Sequence, residues 1–195
     1  MNKKIDQAIL TLQKGGVIIY PTDTAFGIGC RVDDERAVDR VVAIKGRPKN
    51  KAMPILASDM EMAGQYVDTR DLQVGKLMRD FWPGGLTIVL PTHNPSLATG
   101  IKGGDTVGIR IPNHRVLRDV IRGVGVPIIG SSANLSGGPT PFAVSELDPV
   151  LASQVDLVLE GECGGNRPST VVDCTGMPWQ ILRQGAADVD VSAYV

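Results

Sequence analysis

Apolar residues near the start recur at Ile5, Ala8, Ile9 and Leu12, the spacing that gives a helix one buried stripe, and Gly15-Gly16 ends the pattern. Val17-Ile18-Ile19-Tyr20 is a continuous apolar run of strand length, stopped by Pro21. After the polar insert Thr22-Asp23-Thr24, residues 25–30 read as a glycine-punctuated strand. Asp33-Asp34-Glu35 place negative charge where a helix begins, and Ala37, Val38, Val41 and Val42 form its buried face up to Lys45-Gly46-Arg47-Pro48. Residues 52–57 predict a strand in which Pro54 suits an edge position or a bulge. Leu72, Leu77, Met78 and Phe81 predict a helix closed by Pro83-Gly84-Gly85, followed by a strand over 86–90. A further strand spans 105–112, then a helix carries Val116, Leu117, Val120 and Ile121. Ile128-Ile129 fits a central strand, and strands over 155–159, 170–172 and 180–182 complete the pattern, the first two separated by a glycine-rich loop over 161–165.

Strands and helices alternate as in βα units, with no internal repeat and no linker between two composition regimes. The expected architecture is one α/β domain over residues 1–195, a twisted mixed sheet flanked by helices. At 195 residues such a domain buries its core without metal or disulfide staples. The net charge of −1 provides no global field toward nucleic acid or an anionic membrane, so an anion site must come from a local cluster. Cys30, Cys163 and Cys174 lack metal-binding or redox spacing and read as reduced thiols. No apolar stretch nears the ~20 residues of a membrane span and no signal peptide is visible, so the expectation is a cytoplasmic protein.

Chemistry concentrates in a few segments. Ile128-Ile129 runs abruptly into Gly130-Ser131-Ser132-Ala133-Asn134-Leu135-Ser136-Gly137-Gly138, crowding neutral donors and acceptors at a strand's carboxyl end. In open α/β sheets that is where ligands bind; a serine-rich turn capping the next helix is the structural alternative. Lys45 at a helix end answers to the macrodipole, but Arg47, Lys49 and Lys51 lie beyond it, and four cations in seven residues favour an anion such as phosphate among them. Arg110 sits inside an apolar strand on the face shared with Gly108. The expectation is open space beside its guanidinium, fit for a small carboxylate, against the alternative of a solvated sheet face. Thr22-Asp23-Thr24 is either a self-bonded turn or a loop offering hydroxyls and one carboxylate to a ligand. No P-loop or dinucleotide fingerprint is present, and neither His93 nor His114 belongs to a nucleophilic triad.

Taken together, Pro21-Thr22-Asp23-Thr24, Lys45-Gly46-Arg47-Pro48, Trp82-Pro83-Gly84-Gly85-Leu86-Thr87, Gly108-Ile109-Arg110-Ile111-Pro112, Ser131-Ser132-Ala133-Asn134, Pro168-Ser169-Thr170 and Leu182-Arg183-Gln184-Gly185 resemble the YrdC/Sua5-type L-threonylcarbamoyladenylate synthases, in order from about residue 5 to 186. The resemblance implies a concave, positively lined cavity. It implies a nucleotidyltransferase that joins L-threonine, bicarbonate and ATP, with Mg²⁺ and no organic prosthetic group, to threonylcarbamoyl-AMP and pyrophosphate. The product would feed a downstream tRNA threonylcarbamoyltransferase machinery that modifies adenosine 37. The family's KxR…SxN residues fall on Lys45, Arg47, Ser132 and Asn134. The resemblance places Lys45, Arg47, Asn134 and Arg183, with Thr106, at the nucleotide. It places Thr24, Arg110, Ser132 and Ser169 around threonine, and it makes Lys45 and Arg47 catalytic. No protein metal ligand is implied.

The chain departs from the family's usual pattern in three places. Asn166-Arg167-Pro168 precedes Ser169 where many members carry Gly-Val-Glu, Phe26 replaces a common Tyr, and Gly85 replaces a frequent Pro. A competing reading is a double-stranded RNA- or tRNA-binding module without synthase activity, against which the 4 % aromatic content argues.

Overall fold

The computed structural model describes residues 3–48, 51–101 and 103–194. Helix α1 (Lys3–Gln13) leads into β1 (Ile18–Tyr20), β2 (Gly27–Gly29) and α2 (Glu35–Ile44). Then come β3 (Ile55–Leu56), α3 (Met60–Gly64), α4 (Leu72–Phe81), β4 (Leu86–Pro91), β5 (Thr106–Arg110) and α5 (Arg115–Val124). The last part holds β6 (Ile128–Ile129), β7 (Ser131–Ser132), α6 (Pro149–Ala152), β8 (Leu157–Val158), β9 (Thr170–Asp173) and β10 (Gln180–Arg183).

Local chemistry explains the helix starts. Asp34, Asp59, Asp71 and Asp148 cap α2, α3, α4 and α6, each carboxylate accepting backbone N–H groups of the first turn. His114 caps α5 through Nδ1, which accepts the Leu117 N–H at 3.2 Å, a structural task for that imidazole. Ala8 and Leu12, and Ala37, Val38, Val41 and Val42, are buried as their spacing predicts. Leu72 is 84 % exposed: it is the first residue of α4 and points away from the buried side that Val74, Leu77 and Met78 fill.

The strands form two mixed sheets rather than one, in the orders β7-β2-β1-β8 and β10-β9-β4-β5-β3-β6. They are joined by residues 128–132, which pair with β3 as β6 and with β2 as β7. Ile128-Ile129 therefore lies at the margin of the larger sheet, not at its centre, and its other side is bridged to Arg31 and to the Cys30 carbonyl. The junction is tight enough to demand glycine: a Cβ on Gly29 would lie 2.2 Å from the Ile129 carbonyl oxygen. β3 has a neighbour on each side, so it is not an edge strand. Pro54 is tolerated because it precedes the strand and uses only its carbonyl, which accepts the Gly130 N–H at 2.7 Å. The buried apolar residues form one connected core. No helix among the described residues is long and apolar enough to cross a membrane.

Candidate active site

The loop after β1 is organised by Thr22. Its hydroxyl accepts the Thr24 and Ala25 N–H groups at 3.0 and 3.1 Å and donates to the Ala25 carbonyl at 2.7 Å. The Thr24 hydroxyl therefore donates to Thr22, 3.0 Å away, and accepts from Arg110 Nη1 at 2.9 Å. The loop over 161–165 packs directly on this turn, with Gly164 N–H donating to the Thr22 carbonyl at 3.0 Å.

Arg110, at the end of β5, is only 5 % exposed. Nε donates to the Gly84 carbonyl at 2.8 Å, Nη1 to Thr24, and Nη2 to the Asp23 carboxylate in a buried ion pair. Burial pulls the guanidinium below its usual range and Asp23 opposes that pull, leaving a cation. The space directly over Gly108 is filled, and the opening beside the guanidinium is instead a hollow on whose wall Arg110 lies. A Cβ on Gly108 would meet Thr87 Cγ2 at 3.3 Å and Pro54 Cβ at 3.4 Å, so those side chains fill the gap. Three of its five N–H groups are engaged, and two remain for a ligand.

Lys45, the C-cap of α2, is 2 % exposed, and among the described residues no carboxylate pairs with it. Nζ donates to the Ser132 carbonyl and, at 2.7 Å, to the Asn134 carbonyl, while the Lys45 carbonyl accepts Ser136 N–H at 2.8 Å. One residue thus fastens the 132–136 turn at three points. Burial, reinforced by repulsion from Arg47, lowers the ammonium to about 8. Asn134 uses its amide within the same turn, on the Leu135 and Gly138 carbonyls at 2.8 Å each. Arg47 folds back on its own loop, donating to the Lys51 and Ala52 carbonyls. Of the four cations in this run, Lys45 turns inward, Lys51 is exposed, and Lys49 lies outside the described residues.

Ser169 is 7 % exposed, and its hydroxyl lies 2.9 Å from that of Thr87. Arg183 donates to the Ser169 carbonyl at 2.9 Å and hydroxyl at 3.1 Å. Thr87 escaped the sequence reading although it is the one hydroxyl in the apolar run 86–90, a signal that was available. Thr106, at the far end of β5, donates to the Gly103 carbonyl at 2.9 Å, away from these groups.

These elements surround a hollow of about 160 Å³ whose wall includes Thr24, Arg47, Arg110, Ser132, Ser169 and Arg183. Residues from β5, β7, β10 and three loops are so brought together, whereas Lys45, Asn134 and Thr106 are not among the lining residues. A larger neighbouring hollow of about 500 Å³ shares Thr24 and is lined by Asp23, Asn113, Arg167 and the Gly84-Gly85 and Gly164-Gly165 backbone. Three guanidiniums on the first hollow, with no carboxylate on its wall among the described residues, suit it to polar anions. Among the described residues no group of His, Cys, Asp or Glu side chains is placed to hold a metal ion.

Comparison with known proteins gives concordant matches. The Sua5/YciO/YrdC family model, described as Telomere recombination, matches residues 10–185. A Vibrio vulnificus (strain YJ016) protein named Threonylcarbamoyl-AMP synthase is 35 % identical over 190 residues, 95 % of this chain and 100 % of that relative. P. abyssi Sua5 complexed with L-threonine superposes with a TM-score of 0.85 at 32 % identity, over 93 % of this chain and 54 % of that chain, so this chain spans about half of its length. E. coli YciO superposes with a TM-score of 0.87 at 27 % identity, over 100 % and 94 % of the two chains.

Proposed function

The chain belongs to the Sua5/YciO/YrdC family, and from that premise we propose that it is a threonylcarbamoyl-AMP synthase, a nucleotidyltransferase acting on L-threonine, bicarbonate and ATP. The observation that carries this reading is the convergence of Arg47, Arg110 and Arg183 with Thr24, Ser132 and Ser169 on one small hollow, from segments up to about 160 residues apart. That volume lies below the ~300–1,000 Å³ of drug-sized sites, so it suits an amino acid inside and a nucleotide reaching in from the open side.

Threonine's amine combines with bicarbonate to give a carbamate and water. A carbamate oxygen then attacks the ATP α-phosphate, forming threonylcarbamoyl-AMP and releasing pyrophosphate. Arg110 holds the threonine carboxylate with its two remaining N–H groups, and the Thr24, Ser132 and Ser169 hydroxyls orient the amino acid. Arg47 and Arg183 offset charge growing on the pyrophosphate leaving group. Lys45 keeps the Ser132-bearing turn in place and adds positive potential, and Asn134 fixes the same turn. Thr106 stays outside the set because its hydroxyl faces the Gly103 turn. Among the described residues none form a Mg²⁺ cage, and the ion enters this reading as part of the substrate, on the ATP phosphates. The product is handed to a tRNA threonylcarbamoyltransferase machinery, and three free cysteines suit a cytoplasmic setting.

The test is pyrophosphate release from ATP by the purified protein. The reading expects release that requires both threonine and bicarbonate and is far slower with serine. Release that ignores either substrate, or none beside salt-sensitive RNA binding, would overturn it in favour of a binding module.

A further inference from the structure

The wall of the first hollow carries three cations, and Asp23 is the only carboxylate on the wall of either hollow among the described residues. It is bonded to Arg110, with side-chain exposures of 13 % and 6 % for the two partners. Arg110 lines the smaller hollow, Asp23 the larger, and Thr24 both. The pair is thus the partition between them.

This arrangement constrains the ligand. A buried Arg–Asp pair is neutral, and a bare carboxylate added to Arg110 would leave Asp23 facing a like charge in a desolvated place, which is costly. A zwitterion removes the conflict, because its ammonium answers the second carboxylate while its own carboxylate answers Arg110. We propose that Asp23 is a specificity-determining residue that receives the α-ammonium of the amino-acid substrate at the junction of the two hollows, with Arg110 on the carboxylate. The inference rests on the synthase reading and adds to it the reason for accepting an α-amino acid over the corresponding simple acid.

Calorimetry with L-threonine and with (R)-3-hydroxybutanoate, which is threonine without its amino group, separates the roles. In Asp23→Asn, threonine should bind roughly 10- to 100-fold more weakly, the scale of a lost charged hydrogen bond, while 3-hydroxybutanoate binds at least as well as to the parent. A residue that merely shaped the site would weaken both ligands alike, and that result overturns the inference. So does threonine binding equal to the parent's. Asp23→Glu keeps the charge and should keep the preference for threonine, and loss of that preference counts against the inference even if Asp23→Asn folds poorly. A parent protein that binds no threonine sinks the synthase reading itself, a failure distinct from that of Asp23.

Discussion

Arg110 and Lys45 are both nearly inaccessible cations serving the same hollow, yet they are held in opposite ways. Arg110 meets a carboxylate, a hydroxyl and a carbonyl, so its charge is balanced. Lys45 meets carbonyl dipoles alone, with Arg47 repelling it, so its charge is merely solvated by the turn it holds. The first environment keeps a charge permanently available for a ligand. The second stabilises a loop with a group that titrates near neutral pH.

Removing the balanced charge should have the largest effect. Arg110→Ala leaves Asp23 buried without its partner and should cost about 3–5 kcal/mol by denaturant unfolding, with threonine binding lost in calorimetry. Lys45→Met should cost less, about 1–3 kcal/mol, because two turn carbonyls lose their donor while the desolvated charge disappears as well. Its turnover should fall more than its stability, and equal losses in the two variants would erase the contrast.

The pH response sharpens the comparison further. The Lys45 value is lowered in the fold, so the native state releases its proton near pH 8 while the unfolded chain holds it to about 10.5. Between those limits the unfolded state binds more protons, so this group's contribution to stability rises with pH. Turnover should nevertheless fall as pH passes about 8, since the ammonium that holds the Ser132 turn beside Arg47 loses its charge. A pH–rate profile and a pH series of unfolding curves should therefore move in opposite directions in this window, and Lys45→Met should flatten both. The smallest effect is expected for Thr87→Val, which removes the hydroxyl beside Ser169. It should cost about 1 kcal/mol and raise the threonine KM a few-fold in steady-state assays.

The amphipathic helices α1, α2 and α5 and the strand β4 were legible because their periodicity runs over several turns or alternations. The division into two sheets was not, because β3, β6 and β7 are two residues each and too short to carry a period. α3 and α6 escaped for the same reason. For the site, Thr24, Arg47, Arg110, Ser132, Ser169 and Arg183 were singled out in the sequence and line the hollow, Lys45, Asn134 and Thr106 were singled out and do not, and no partner was foretold. Asp23 and Arg110 lie 87 residues apart, and nothing local foretells their pairing. Nor does any pattern show that Lys45 points at carbonyls or that Thr87 and Pro54 occupy the space beside Gly108.

Residues 128–132 belong to both sheets, with Gly130 as the single step between β6 and β7. A swivel of one sheet against the other that bends this step re-aims Ser132. The aperture of the hollow and the orientation of its hydroxyl are therefore one mechanical coordinate, and a ligand that grips both sides stiffens the joint between the sheets.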